Sequence, residues 1–303
     1  MKLAILIVCS VLLSLHALAW HYHSFTAARL NTIELEWHRR GLAGDLQMPW
    51  RYRVFSKLIN EGLLRAMPDR PPKMAFLISR FAVGVLLFVL AGLYYRRLGL
   101  DDGQILISLA VLGWCAGYGF IGSAFSFDTW WDVCFYLMGA LACLGGRFWL
   151  CIPLAMLGAL NRESSGFIAL MPLAFGWRWK VSLAGFAAWG LTMAGLVAWF
   201  GPCERMENPQ QIWLAIMRQS VSSKITYMGL FAALSVIPLA SALRWRQWPR
   251  FLRFWGVMIL PVWGFVFLCL NNAFEVRYWI LPMALIFIPG LFARPIPDEG
   301  RAA

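Results

Sequence analysis

Leu157-Gly158-Ala159-Leu160-Asn161-Arg162-Glu163-Ser164-Ser165-Gly166-Phe167-Ile168-Ala169-Leu170 sets a charged knot, Asn161 to Ser164, between two apolar runs that are each too short to cross a bilayer. The flanking windows, 148–160 and 164–176, extend about 20 Å each at ~1.5 Å per residue, against a hydrocarbon core of roughly 30 Å. An ionisable pair in such a setting is costly to desolvate and persists only where protein or a wet cavity shelters it. The stretch therefore predicts two half-depth helices, or one long helix bent at the knot, with a functional site at the join.

The rest of the chain is equally apolar. Of 303 residues, 60% are hydrophobic, 16% aromatic and 14% charged, with mean hydropathy +0.64, far from the balance of a soluble domain. Further spans read at 2–20, 74–95, 104–122, 129–145, 181–200, 225–243, 254–271 and 277–292. The expected fold class is all-α, a polytopic membrane helical bundle of about ten membrane segments in a single integral membrane domain, 1–303. Neither internal repeat nor low-complexity tract breaks it.

Lysine and arginine bias orients the bundle. With both termini cytoplasmic, Lys2, Arg96, Arg97, Arg147, Arg178, Lys180, Arg244, Arg246, Arg250, Arg253, Arg294 and Arg301 fall inside, mostly in short loops. The net charge of +12 then reflects topology, and no nucleic-acid partner is expected. Residues 1–19 resemble a signal peptide ending Ala17-Leu18-Ala19, and are read as an uncleaved first helix. Six of seven cysteines lie in apolar spans without any CxxC, which implies neither a disulfide framework nor a zinc site.

Two long segments, 21–73 and 201–224, fall on the outer side. Ala27, Leu30, Ile33 and Trp37 recur at helical spacing opposite Arg29, Glu36 and Arg40; Val54, Phe55, Leu58, Ile59 and Leu63 repeat the pattern. Both predict amphipathic helices lying in the interface, and 209–222 is a third.

On this topology the unusual polar residues converge on the outer face. Arg162 and Glu163 are adjacent, so they address different partners, with a structural ion pair across the helix break as the plainer reading. Asp128 and Asp132 lie one turn apart on one helix face. They suit proton sharing or a divalent metal, although Asp128 also sits where an N-cap would. Arg51 and Arg53 flank Tyr52 ahead of an interfacial helix, where guanidinium groups meet either a specific phosphate or ordinary anionic headgroups. Asp45 lies in a Gly-Asp-Leu loop, and Glu275 and Arg277 flank the last outer turn. Gly117-Tyr118-Gly119-Phe120-Ile121-Gly122 matches a dinucleotide fingerprint but ends a span, so its glycines are read as packing residues. His21 and His23 lack a third ligand.

Taken together, Trp50-Arg51-Tyr52-Arg53, an aspartate opening a span at Asp128, Asn161-Arg162-Glu163-Ser164 and Glu275-Val276-Arg277-Tyr278-Trp279-Ile280-Leu281-Pro282 resemble the bacterial GT-C-type integral membrane glycosyltransferases. The resemblance implies a polyprenyl-phosphate-linked sugar as donor and a site on the outer face of the bacterial inner (plasma) membrane. It also implies a carboxylate base in the first outer segment. The chain departs from that pattern directly after its first span, where Trp20-His21-Tyr22-His23-Ser24 carries no acid. The reading makes Asp45 or Glu163 the base, with Asp128 as a further catalytic candidate. Arg51, Tyr52, Arg53, Arg162, Glu275 and Arg277 would bind substrate. A transporter or flippase of a lipid-linked or anionic substrate, or a non-catalytic subunit of a polysaccharide assembly complex, are the alternatives.

Overall fold

The computed structural model describes residues 1–24, 27–46, 50–119, 128–202, 214–215, 217–218, 222–269 and 276–292. Among them all regular structure is helical. Three helices are long and apolar enough to cross a membrane, Leu3–His23, Pro72–Arg97 and Trp179–Phe200. The first ten α-helices are α1 (Leu3–Ser24), α2 (Ala27–Asn31), α3 (Ile33–Ala43), α4 (Phe55–Ala66), α5 (Pro72–Arg97), α6 (Asp102–Gly119), α7 (Asp128–Leu144), α8 (Cys151–Asn161), α9 (Met171–Gly176) and α10 (Trp179–Phe200). Helix also fills Lys224–Leu234, Ile237–Leu243, Arg250–Cys269 and a final run over 276–292.

The polar knot breaks the chain as its composition requires. Helix α8 stops at Asn161, Arg162 is extended, and Glu163–Leu170 continues as a 3-10 helix before α9. Eight residues is long for that geometry, which rarely persists beyond three or four. Gly158 permits the fold-back, since a Cβ there would lie 2.6 Å from the Cβ of Ser165. A second break corrects the continuous span read over 225–243. Lys224–Leu234 and Ile237–Leu243 meet at 66°. Ser235 takes a left-handed φ of 52°, and Pro238 in the first turn of the second helix has no N–H to bond back.

The core is built on α5, α6 and α7, where Val83, Leu87, Phe88, Leu109, Leu112, Val133 and Tyr136 are enclosed, with 280–288 packed against them. Gly117 lies against Trp20 and Ala17 of α1, consistent with packing glycines.

One end of the bundle gathers the cationic turns. The amino terminus pairs with Asp102, Arg96 donates to the carbonyl of Met1 at 3.2 Å, Arg178 sits 5.7 Å from the Phe148 ring, and Arg244 donates to the carbonyl of Leu291. Phe175 stacks on Phe251 at 4.2 Å and Trp177 meets Phe254 edge-on, joining these turns at the same end.

At the opposite end α3 and α4 turn polar side chains inward. Helix α3 buries Glu34, His38 and Gly41 while Ile33 is 40% exposed, and α4 buries Ser56 and Asn60 while Leu58 is 57% exposed. Apolar periodicity located these helices as interfacial elements, and part of the apolar stripe also packs inward, with Leu30 and Val54 buried and Phe55 edge-on to Trp131. Charged partners on α5 and α7 draw the polar stripes inward, and the outward apolar stripes suit contact with lipid.

Candidate functional site

Arg53 is the hub. It follows the 3-10 turn Trp50–Tyr52, and the next residue, Val54, donates its N–H to Leu160 O at 2.8 Å, pinning the outer segment to the end of α8. The buried guanidinium donates Nη1–H to Asp128 Oδ2 at 2.5 Å and Nε–H to Glu163 Oε2 at 3.2 Å, while Nη2 meets Glu163 Oε1. Arg162 approaches the same Asp128 oxygen at 3.7 Å and donates to Thr129 Oγ1 at 2.9 Å. Adjacent Arg162 and Glu163 thus face different partners, as their spacing demands.

The helix ends are held by the same residues. Asn161 Nδ2 donates to the backbone carbonyl of Asp128 at 2.7 Å, and Ser165 Oγ donates to the carbonyl of Arg162 at 2.7 Å. One turn deeper, Asp132 Oδ2 accepts from Ser164 Oγ at 2.9 Å, and Tyr136 O–H bonds the carbonyl of Ser164. The Tyr278 ring lies 4.8 Å from the Arg162 guanidinium and 5.1 Å from that of Arg277, bringing the last helical run into the cluster.

A cleft of about 50 Å³ opens beside Arg53 and Asp128, lined also by Glu34, His38, Lys57 and Asn60. That is room for a few waters but not a sugar. Glu34 binds Arg80 of α5 through Oε1, and Arg80 also meets His21 of α1. Glu34 Oε2 is buried without a hydrogen-bond partner. Burial pushes the Glu34 carboxyl above the ordinary carboxylate range, with Arg80 pulling part of the way back. Lys57 Nζ donates to Trp50 O at 2.7 Å and approaches Gly41 O at 3.5 Å. Burial pushes its pKa down to about 8, opposed by Asp128 and reinforced by Arg53. His38 Nε2 lies 3.0 Å from Glu61 Oε2, with its ring edge-on to Phe76.

Of the residues read from sequence, Arg53, Asp128, Arg162 and Glu163 meet directly, and Arg277 joins through Tyr278. Arg51 and Tyr52 do not meet the cluster through their polar groups. Arg51 Nε donates to Gly44 O at 2.7 Å and Tyr52 O–H to Gly201 O at 3.0 Å, tying the outer segment to the end of α10. Asp45 is exposed and does not line the cleft. Glu275 lies outside the described residues. For a metal at Asp128 and Asp132 the surroundings are cationic, and among the described residues no group of three or more His, Cys, Asp or Glu side chains is placed to hold an ion. Sequence reading passed over Glu34, Lys57, His38 and Tyr278. The signal for the first three was the polar stripe of α3 and α4 at i, i+3 and i, i+4 spacing.

In this cluster two guanidinium groups share one buried aspartate, a second carboxylate caps the fork, and a lysine and a glutamate line the adjoining cleft. No protein-family model, curated protein or solved structure matches the chain.

Proposed function

We propose that the protein is a polytopic inner-membrane glycosyltransferase of the GT-C type, with both termini cytoplasmic. It would move a sugar from a polyprenyl-phosphate donor to an acceptor hydroxyl on the outer face. The observation that supports this reading most is the polar stripe that α3 and α4 bury. Interfacial helices that bury Glu34, His38, Ser56 and Asn60 line a polar cleft at the end of the bundle opposite the cationic turns. A lipid phosphate enters such a cleft from the headgroup layer without leaving the bilayer.

In this mechanism Glu34 takes the acceptor proton, because a buried carboxylate held above its ordinary range is closer to the acidity a general base needs near neutral pH. The freed acceptor oxygen attacks the anomeric carbon as the bond from that carbon to the phosphate oxygen breaks. Arg53, Arg162 and Lys57 neutralise the departing lipid phosphate. Glu163 has both oxygens on Arg53, and Asp45 is outside the cleft, so neither has the placement of a base.

The bend at Ser235 is the one observation that favours a transporter, since such folds use paired broken helices. Yet residues 234–237 at that bend are Leu, Ser, Val and Ile, none of which carries a charge to pair with a charged substrate. The deciding experiment supplies purified protein in nanodiscs with polyprenyl-phosphate sugars of several kinds and a mixed hydroxyl-acceptor extract. Release of free polyprenyl phosphate supports the reading. Unchanged donors of every kind, or donor moved intact across the membrane of proteoliposomes, reject it.

A further inference from the structure

We propose that Arg53 is a latent phosphate-binding fork kept closed by Glu163, which occupies it as an internal stand-in for the substrate's anion. The Nε/Nη2 edge of a guanidinium takes a carboxylate or a phosphate in the same two-point geometry. In this structure that edge is filled by the two oxygens of Glu163, while the remaining terminal nitrogen, Nη1, holds Asp128.

The two carboxylates are not equivalent. The Asp128 side chain is 4% exposed, shared between Arg53 and Arg162, so its removal would leave two buried guanidinium groups short of a counter-ion. The Glu163 side chain is 45% exposed and is the first residue of a 3-10 helix, after the extended Arg162. Swinging away returns it to water or the headgroup layer, so its release costs far less than that of a buried acid. Asp128 is the permanent counter-ion and Glu163 the exchangeable one. The small cleft is then the closed form of the site, and phosphate entry and Glu163 departure are one exchange.

This rests on the reading that the ligand is a phosphate, and the test separates the two ideas. Binding of a short-chain polyprenyl monophosphate is measured in neutral-lipid nanodiscs, with inorganic phosphate as a second probe. Removing a competing anion makes Glu163→Gln bind polyprenyl monophosphate roughly tenfold tighter or more, in line with the strength of charge-assisted hydrogen bonds. Glu36→Gln, which removes the same charge from an exposed position on α3, leaves affinity unchanged. Adding Arg53→Gln to Glu163→Gln abolishes the gain. Should Glu163→Gln express poorly, Glu163→Asp, too short to span both nitrogens, shows a smaller gain in the same direction.

Affinity equal to or below parent in the Glu163 variants overturns the proposal, as does an equal gain in Glu36→Gln. Tight inorganic phosphate with no polyprenyl phosphate in Glu163→Gln sustains the latent fork but rejects the lipid-donor reading. No binding of either probe to parent or variant rejects both.

Discussion

Glu34 and Asp45 lie eleven positions apart in segment 21–73, and the resemblance's expectation of a base in that segment fell on Asp45, with Glu163 as the alternative. Burial reverses the ranking: Glu34 lines the cleft with one oxygen unpartnered, and Asp45 is exposed. Glu34→Gln is expected to lower turnover by about 10²–10⁴-fold, the usual weight of a general base, while Asp45→Asn stays near parent. The comparison is made on donor consumed per mole of protein, with melting temperatures alongside to exclude loss of the Arg80 contact as the cause. Lys57 adds a pH test. Its folded pKa, about 8, lies below the ordinary lysine value of roughly 10.4, so the charged form is disfavoured in the folded protein. This group therefore lowers stability at neutral pH, and the penalty fades as pH rises from about 8 towards ~10.4. In the folded protein the cation is lost as pH passes through about 8. Donor affinity should fall between pH 7 and pH 9 while thermal stability gains, and Lys57→Met should lose the affinity step. A parent whose affinity is flat across that range removes Lys57 from phosphate binding.

The break after Asn161 was legible because its cause is local: charged residues flanked by short apolar runs have no continuous helix to join across a bilayer. The break at Ser235 was missed although Pro238 marked it, because Ser235-Val236-Ile237 differs little in hydropathy from its neighbours and the span was read straight through it. In the same way periodicity found α3 and α4 but not which stripe they bury, because that depends on Arg80 and Asp128, distant in sequence. Arg53 was named but its partners were not, and its neighbours Arg51 and Tyr52 were given the same task although they brace the outer segment on backbone carbonyls. Two glycines test how closely these elements are fitted. A methyl at Gly158 would meet Ser165 at 2.6 Å, whereas one at Gly62 in α4 meets nothing within 4 Å. Gly158→Ala should destabilise by about 1–3 kcal/mol through overpacking and weaken donor binding, since the segment it displaces begins with Arg162 and Glu163. Gly62→Ala should stabilise by roughly 0.5–1 kcal/mol through helix propensity alone. Thermal melts in one detergent read both, and equal effects would mean that the 3-10 segment is not seated against α8.

Charge is divided along the bundle in a way that neither helix content nor burial requires. Arg96 at the end of α5 bonds the carbonyl of Met1, Arg178 lies by the Phe148 ring and Arg244 bonds the carbonyl of Leu291, while Arg53, Asp128, Arg162 and Arg277 gather at the opposite end, paired with one another or with Glu163 or stacked on Tyr278. Cations in short loops near span ends hold their side of a membrane protein in the cytoplasm. The division therefore predicts orientation. In a cysteine-free background, Asp45→Cys in the outer segment should react with an impermeant maleimide on intact cells, and Arg178→Cys only after permeabilisation. Labelling of both positions from outside would place the cationic turns and the Arg53 cleft on one side. The cleft would then no longer face the leaflet from which an outer-face donor arrives, and the glycosyltransferase reading would lose its geometry. Opposite labelling would put the Arg53 fork on the side where a phosphate is carried in the outer headgroup layer, with Ile33 of α3 and Leu58 of α4 exposed for contact with lipid.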